Sequence, residues 1–441
     1  GSFYEQFGSG MILRAYEERM LGYDNAFEGL RVKINPYKGI YIKSLYAKQR
    51  LFMGYGPGIV RAIDGEISIN ELLDTLLSVN FPQITLGGNF VSRYQDPADL
   101  TYILPANVGS WSYRANIAYK DFNLFTEYVY KINDPSSDNN FIYKQGQGFL
   151  TTLSYATSLK NGDGLGISAG FKYVDNLSYR SDRKEGLQNL FINYMPALTK
   201  PHTYNLAATL YPYATQPLGE WALQGELFYK FKKGSALGGK YGTQITINTS
   251  TAYGIHKEAV NDLNTTRQGY RAQIFKKDTT LFFSDINIEI RKKISEKFKF
   301  VLMYLNIGYN MEVVQGLGGK PMVFADIYIA DLNYKINKKH NLRLELQALK
   351  TKQDQGDWAT VLLEYTVSPH WFVAVLDQYN YGNELEYKRL HYPYYTFGYI
   401  NGSNRISIGY GKQRAGLFCV GGVCRPVPAS NGLTVTITSS F

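Results

Sequence analysis

The sequence predicts an all-β chain: a single domain over residues 1–441, forming one transmembrane antiparallel β-barrel of about 22 strands, within a range of 20–26. Three observations carry this. Amphipathic stretches of about 9–13 residues follow one another to the C-terminus, the length a tilted membrane strand needs. No apolar run approaches the roughly 20 residues of a spanning helix; those at 300–305 and 371–376 stop far short, and mean hydropathy is −0.26. Short connections alternate with long ones over most of the chain, as expected of a barrel with turns at one end and loops at the other.

Composition agrees. Among 441 residues there are 38 Tyr and 42 Gly, and aromatics make up 15%. Tyrosine suits strands, and its amphipathic ring suits a membrane–water boundary. Net charge is +10, but the lysines gather in short turns such as Lys292-Lys293 and Lys338-Lys339. That fits solvated strand ends, and nucleic acid is not an expected partner.

In chain order, the first strand candidate spans 2–17, and the second runs over 28–35, where Leu30, Val32 and Ile34 oppose Arg31 and Lys33. A turn at 36–39 leads into 41–53, and a Gly-rich loop follows at 54–58. In the next strand Ile63, Ile67 and Ile69 alternate with Asp64, Glu66 and Ser68. Leucines at helical spacing over 70–79 predict one short turn helix. Strands are then expected at 83–92, 110–119, 121–131, 149–158, 164–174, 188–195, 203–212, 219–231 and 241–252. They continue at 280–292, 299–310, 324–336, 341–350, 359–367, 371–380, 391–400, 404–412 and 432–441. Parity is plain where Ile286, Ile288 and Ile290 oppose Asp285, Asn287 and Glu289. No linker or compositional break divides the chain, and no separate plug domain is recognisable.

The closing stretch places Leu433, Val435, Ile437 and Phe441 on one parity and hydroxyl residues on the other. An amphipathic strand ending on an aromatic resembles the last strand of outer-membrane barrels, where such a residue belongs to the assembly signal. With that end periplasmic, counting backwards puts the loop at 413–431 outside the cell.

The two cysteines, Cys419 and Cys424, lie in that loop, separated by four residues of which two are Gly. A metal site would need further ligands, and no His or carboxylate flanks them. The reading is a local disulfide in an oxidising compartment. Charge is densest near the start. Arg14, Glu17, Arg31, Lys33, Asp64 and Glu66 are candidate lumen charges. Either they form a charged constriction that selects solutes, or they line a solvated inner wall as neutralising pairs. The mixture of signs favours the second. The five histidines are scattered, and no nucleophile elbow, phosphate loop or metal spacing occurs. The expectation is therefore no enzyme and no cofactor.

The opening Phe3-Tyr4-Glu5-Gln6-Phe7-Gly8 and the closing Cys419-Val420-Gly421-Gly422-Val423-Cys424-Arg425 together resemble a family of large Bacteroidota outer-membrane proteins, named only as a domain of unknown function. The resemblance implies an outer-membrane location with periplasmic termini, and a barrel that lacks some upstream strands here. Expected partners are membrane lipid and lipopolysaccharide, the barrel-assembly machinery through the C-terminal strand, and other envelope proteins or lipoproteins. The function expected is a structural or accessory subunit of an outer-membrane protein complex of barrel-assembly or secretion type. The alternative is a passive diffusion channel for small solutes.

Overall fold

The computed structural model describes residues 1–18, 23–78, 80–260, 267–420 and 423–439. Among the described residues twenty strands form one sheet. The first seven are β1 (Ser2–Phe3), β2 (Phe27–Tyr37), β3 (Ile40–Leu51), β4 (Gly54–Ser68), β5 (Gln83–Tyr94), β6 (Asn107–Tyr119) and β7 (Phe122–Lys131). Then come β8 (Gly146–Ser158), β9 (Gly164–Asp175), β10 (Gly219–Phe231), β11 (Thr243–Ala259), β12 (Tyr270–Lys293), β13 (Phe298–Asn310) and β14 (Met322–Lys335). The last are β15 (His340–Thr351), β16 (Trp358–Val367), β17 (Trp371–Tyr379), β18 (Tyr394–Asn401), β19 (Asn404–Gln413) and β20 (Ser430–Thr438). Each pairs antiparallel with the next in the chain. A pure meander needs no crossover, so every connection is a hairpin at one end or the other.

The two sheet faces invert the usual soluble pattern. On β12, Asp285, Asn287 and Glu289 are 0%, 1% and 5% exposed, whereas Ile286 and Ile288 are 55% and 37% exposed. The same polarity recurs on β16, where Thr360 and Glu364 are buried while Val361 and Leu363 are exposed. Burying the polar face and exposing the apolar one is costly in water and favourable in hydrocarbon.

Aromatic residues bound the apolar band. At the short-turn end, outward-facing Trp371 packs on Tyr399 and Phe397 at 4.5 and 5.3 Å, and Phe122 packs on Tyr155 at 4.4 Å. At the other end Phe90 meets Trp111 at 5.1 Å, and Phe171 meets Trp221 at 5.5 Å. Trp111 and Tyr119 lie eight residues apart on β6, ~27 Å along the strand. A tilt of about 40° reduces that to ~21 Å, close to the apolar height of membrane barrels.

Several expectations change. Among the described residues the sheet has twenty strands, at the lower end of the expected 20–26 rather than about 22, because 188–195 and 203–212 are not strands. Both lie in the long connection 176–218, which carries a one-turn helix at Asn205–Thr209 and an isolated bridge between Arg180 and Phe191. Leu190, Ile192, Leu206 and Leu210 are buried there: period-two apolarity marks a buried face and does not say whether lipid or protein covers it. Residues 2–17 are not one strand either; only Ser2–Phe3 joins the sheet, and the chain then leaves it. The expected short helix is present as Ile69–Leu72. The stretch between the expected strands 241–252 and 280–292 is largely strand, since β11 and β12 extend to Ala259 and from Tyr270; Phe441 lies outside the described residues.

Candidate functional site

The candidate site is the inner face of the sheet and what fills it. Two segments, 4–18 with 23–26 and 176–218, leave the sheet at its long-loop end and pack against inward-facing residues. Their own cores hold Phe7, Met11, Ile12 and Leu13 on one side and Leu177, Tyr179 and Ile192 on the other, all nearly inaccessible. The segments also bond each other: the Arg14 amide donates to the Ile192 carbonyl at 2.8 Å, and the Tyr194 amide to the Gly10 carbonyl at 2.9 Å.

Buried charges tie this body to the wall. Glu127 on β7 accepts from the Ser9 amide and the Ser112 hydroxyl, both at 2.8 Å. On β5, Arg93 donates to Asp134 at 2.7 Å and to the Arg180 carbonyl at 3.1 Å, while Lys131 pairs with Asp134 at 3.1 Å. Burial alone would raise the Asp134 carboxyl, but Arg93 and Lys131 override it and hold Asp134 below the ordinary carboxylate range. The Tyr179 hydroxyl donates to the Val108 carbonyl at 2.7 Å, and burial pushes that phenol up.

Residues 194–218 reach strands far apart in the sheet. Near β9 and β10, Lys172 pairs with Glu220 at 2.9 Å with both side chains fully buried. Lys172 also donates to the Pro196 carbonyl and the Thr215 hydroxyl, each at 2.5 Å. Glu220 accepts from the Tyr213 hydroxyl and the Gln216 amide, each at 2.7 Å. Burial, then the Glu220 carboxylate, pushes the Tyr213 phenol up. Further round, His202 Nε2 lies 2.6 Å from Asp285 of β12, and the Leu206 amide donates to Gln347 of β15 at 2.9 Å. Gln378 of β17 donates to Asn205. One connection thus contacts the same face of strands from β9 to β17, so the sheet curls around it. No separate plug domain was expected; the inner face of the sheet is covered by the chain's own connections, 4–18 with 23–26 and 176–218.

The sequence-selected charges divide into two groups. Arg31, Lys33, Asp64 and Glu66 face inward on β2 and β4. Arg31 and Lys33 pair with Glu5 of the inserted segment at 3.2 and 3.0 Å, and Lys43 approaches it at 3.5 Å. Asp64 and Glu66 both pair with Arg114 of β6, at 2.6 and 2.9 Å. Arg14 and Glu17 are not on the wall. Arg14 stacks over Tyr16 and Tyr194 at 4.5 and 4.1 Å within the inserted body, and Glu17 sits on its exposed edge. Leu433, Val435 and Ile437 lie outward on β20 as their parity requires. Cys419 and Cys424 are register partners across the hairpin Gly416–Val420/Val423–Val427 at the long-loop end. The Gly1 amine donates to the Gly29 carbonyl at 3.0 Å.

Sequence reasoning missed Arg93, Asp134, Lys172 and Glu220. Parity places Arg93, Lys172 and Glu220 inward, but their partners come from distant connections. Among the described residues no group of three His, Cys, Asp or Glu side chains is arranged to hold a metal.

A family model described as Family of unknown function (DUF6029) matches residues 1–441. The chain belongs to that family. No curated protein matches it. Among solved structures it is similar to the alcaligin outer membrane receptor FauA from Bordetella pertussis, at 11% identity and a TM-score of 0.40, covering 89% of this chain and 66% of that one. It is also similar to the copper transporter OprC, at 12% identity and a TM-score of 0.37, covering 96% and 73%. A third is OmpT, an outer membrane protein of Vibrio cholerae in trimer form, at 8% identity and a TM-score of 0.29, covering 93% and 97%. These neighbours are outer-membrane proteins of varied activity. The expectation that the chain is not an enzyme is withdrawn, since a fold is neutral on catalysis.

Proposed function

We propose that the chain is an outer-membrane β-barrel, one unit over 1–441, whose lumen is held shut by its own segments. It serves as a structural or accessory subunit of an envelope complex of barrel-assembly or secretion type. The supporting observation is the run of buried ties from Lys172 and Glu220 across to Asp285, Gln347 and Gln378. A connection fixed to both sides by buried hydrogen bonds is built for rigidity rather than passage. In this reading the long-loop end faces outward and the short-turn end the periplasm. Lipid and lipopolysaccharide surround the apolar band, and the β20 strand engages the assembly machinery. Cys419 and Cys424, opposite each other in register, close a disulfide in the outer hairpin.

A second reading, a solute channel, draws on one feature. At the short-turn end a cavity of about 510 Å³ is lined by Lys230, Arg291, Lys299, Asp331, Arg343 and Glu364. Mild-detergent extraction from outer membranes followed by mass spectrometry separates the readings. Reproducible co-purifying envelope proteins support the subunit; a protein that always runs alone contradicts it.

A further inference from the structure

The inner wall at the short-turn end gathers positive charge that the chain does not offset. Parity puts Lys230 on the face of Glu220 in β10, Arg291 and Lys293 on that of Asp285 in β12, and Lys299 on that of Leu305 in β13. Register then brings them side by side. Lys230 opposes Gln244, and Gln244 opposes Arg291. Two residues nearer the turns, Lys293 opposes Lys299, Lys299 opposes Asn333, and Asn333 opposes Arg343. All five cations line the cavity of about 510 Å³.

The two arginines are already paired. Arg291 meets Glu289 at 2.5 Å; Arg343 meets Asp331 at 3.0 Å and also pairs with Glu345. The other acid of the lining, Glu364, stands opposite Arg343 in register. The acids thus gather at the Arg343 side. Among the described residues Lys230, Lys293 and Lys299 have no carboxylate partner, and all three are exposed. Lys293 rests only on the Tyr241 ring, 4.5 Å from its centroid. Like charges directly opposite each other across a ladder repel, so the Lys293/Lys299 pair is unfavourable until an anion lies between them. Behind the cavity is the covering connection, whose Tyr204 hydroxyl donates to Asp331 at 3.4 Å.

We propose that this cavity receives an extended acidic peptide segment of a periplasmic partner, with carboxylates placed between Lys293 and Lys299 and reaching Lys230. Charge complementarity names the sign of the occupant, and the span names its shape. From Lys230 on β10 to Arg343 on β15 the wall crosses five strand spacings, ~24 Å. That is too long for one phosphate or a small dicarboxylate to bridge, and it matches about seven residues of extended chain. The proposal rests on the subunit reading, in which the short-turn end faces the periplasm, and it says where on this chain the partner is held and by what chemistry.

The test uses the full chain in mild detergent and a fluorescein-labelled hexaglutamate peptide as probe, read by anisotropy, with labelled hexaglutamine as the uncharged counterpart. The parent is expected to bind hexaglutamate and not hexaglutamine, with affinity falling as salt rises. Lys293→Gln with Lys299→Gln should weaken binding about tenfold. Lys338→Gln with Lys339→Gln makes the same charge change in a turn at the same end and should leave binding within about twofold. Because it removes a like-charge pair, the first variant should also unfold no earlier than the parent; earlier unfolding would overturn the proposal. So would no binding by the parent, an equal loss in both variants, or a loss under about threefold in the first. Displacement of the peptide by pyrophosphate at equal concentration would overturn it in favour of a compact anion. A protein that binds hexaglutamate as expected yet always runs alone from outer membranes refutes the subunit reading and not the pocket. One that co-purifies with envelope proteins but binds no hexaglutamate refutes the pocket alone.

Discussion

Glu220 offers the sharpest perturbation of the lumen. Its carboxylate is fully buried, pairs with Lys172 at 2.9 Å, and accepts from Tyr213 and Gln216 at 2.7 Å each. Glu220→Ala strips the counter-ion from a buried ammonium and orphans a phenol, which costs about 3–5 kcal/mol. At about 1.4 kcal/mol per tenfold, that raises the local opening of 194–218 by roughly a hundredfold to several thousandfold. Removing both charges with Lys172→Met and Glu220→Leu avoids the stranded ion, so most of the loss is recovered. Hydrogen exchange of peptides from 194–218, read by mass spectrometry in detergent, measures this directly, with β16 peptides as an internal standard. If Glu220→Ala leaves that exchange within threefold of the parent, or if the double variant opens as readily as the single, the clasp does not hold the segment.

Further expectations follow from other contacts. Asp134 is held below the ordinary carboxylate range, so its stabilisation is fully present above the unfolded value of about 3.9 and is lost as pH falls through the folded value. Proteolysis at 176–193 by an acid-active protease should therefore accelerate below about pH 4 in the parent but not in Asp134→Asn, which is already loosened. A Cβ at Gly58 would fall 1.8 Å from the Ser181 carbonyl oxygen; Gly58→Ala should cost about 1–3 kcal/mol and speed trypsin cleavage at Arg180, Arg183 or Lys184 several-fold or more. Alkylation of the unreduced protein should leave Cys419 and Cys424 unmodified, and Cys419→Ser should not change barrel yield, because the hairpin stands outside the sheet.

Sheet and lumen were unequally legible. Alternation at 285–290 or 342–347 declares a strand because one face must be polar and the other apolar whatever lies beyond them. Loop asymmetry likewise survives in hairpin geometry. The filling of the inner face was not legible, because Leu190 and Ile192 alternate as strand residues do, yet both are buried and Ile192 belongs to one core cluster with Met11, Leu177 and Val60. Arg31, Lys33, Asp64 and Glu66 could be placed inward by parity; Arg14 and Glu17 could not, since the segment carrying them leaves the sheet after Phe3. Thr215 and Asp134, partners of Lys172 and Arg93, lie more than forty residues away in sequence, and local pattern carries no information at that range.

Single-channel recording of the unaltered protein in planar bilayers bears most directly on the claim that this barrel closes its own lumen. The account predicts no stepwise conductance from the parent and discrete openings once residues 194–218 are replaced by a short flexible linker. Steady, open-pore conductance from the parent would contradict it.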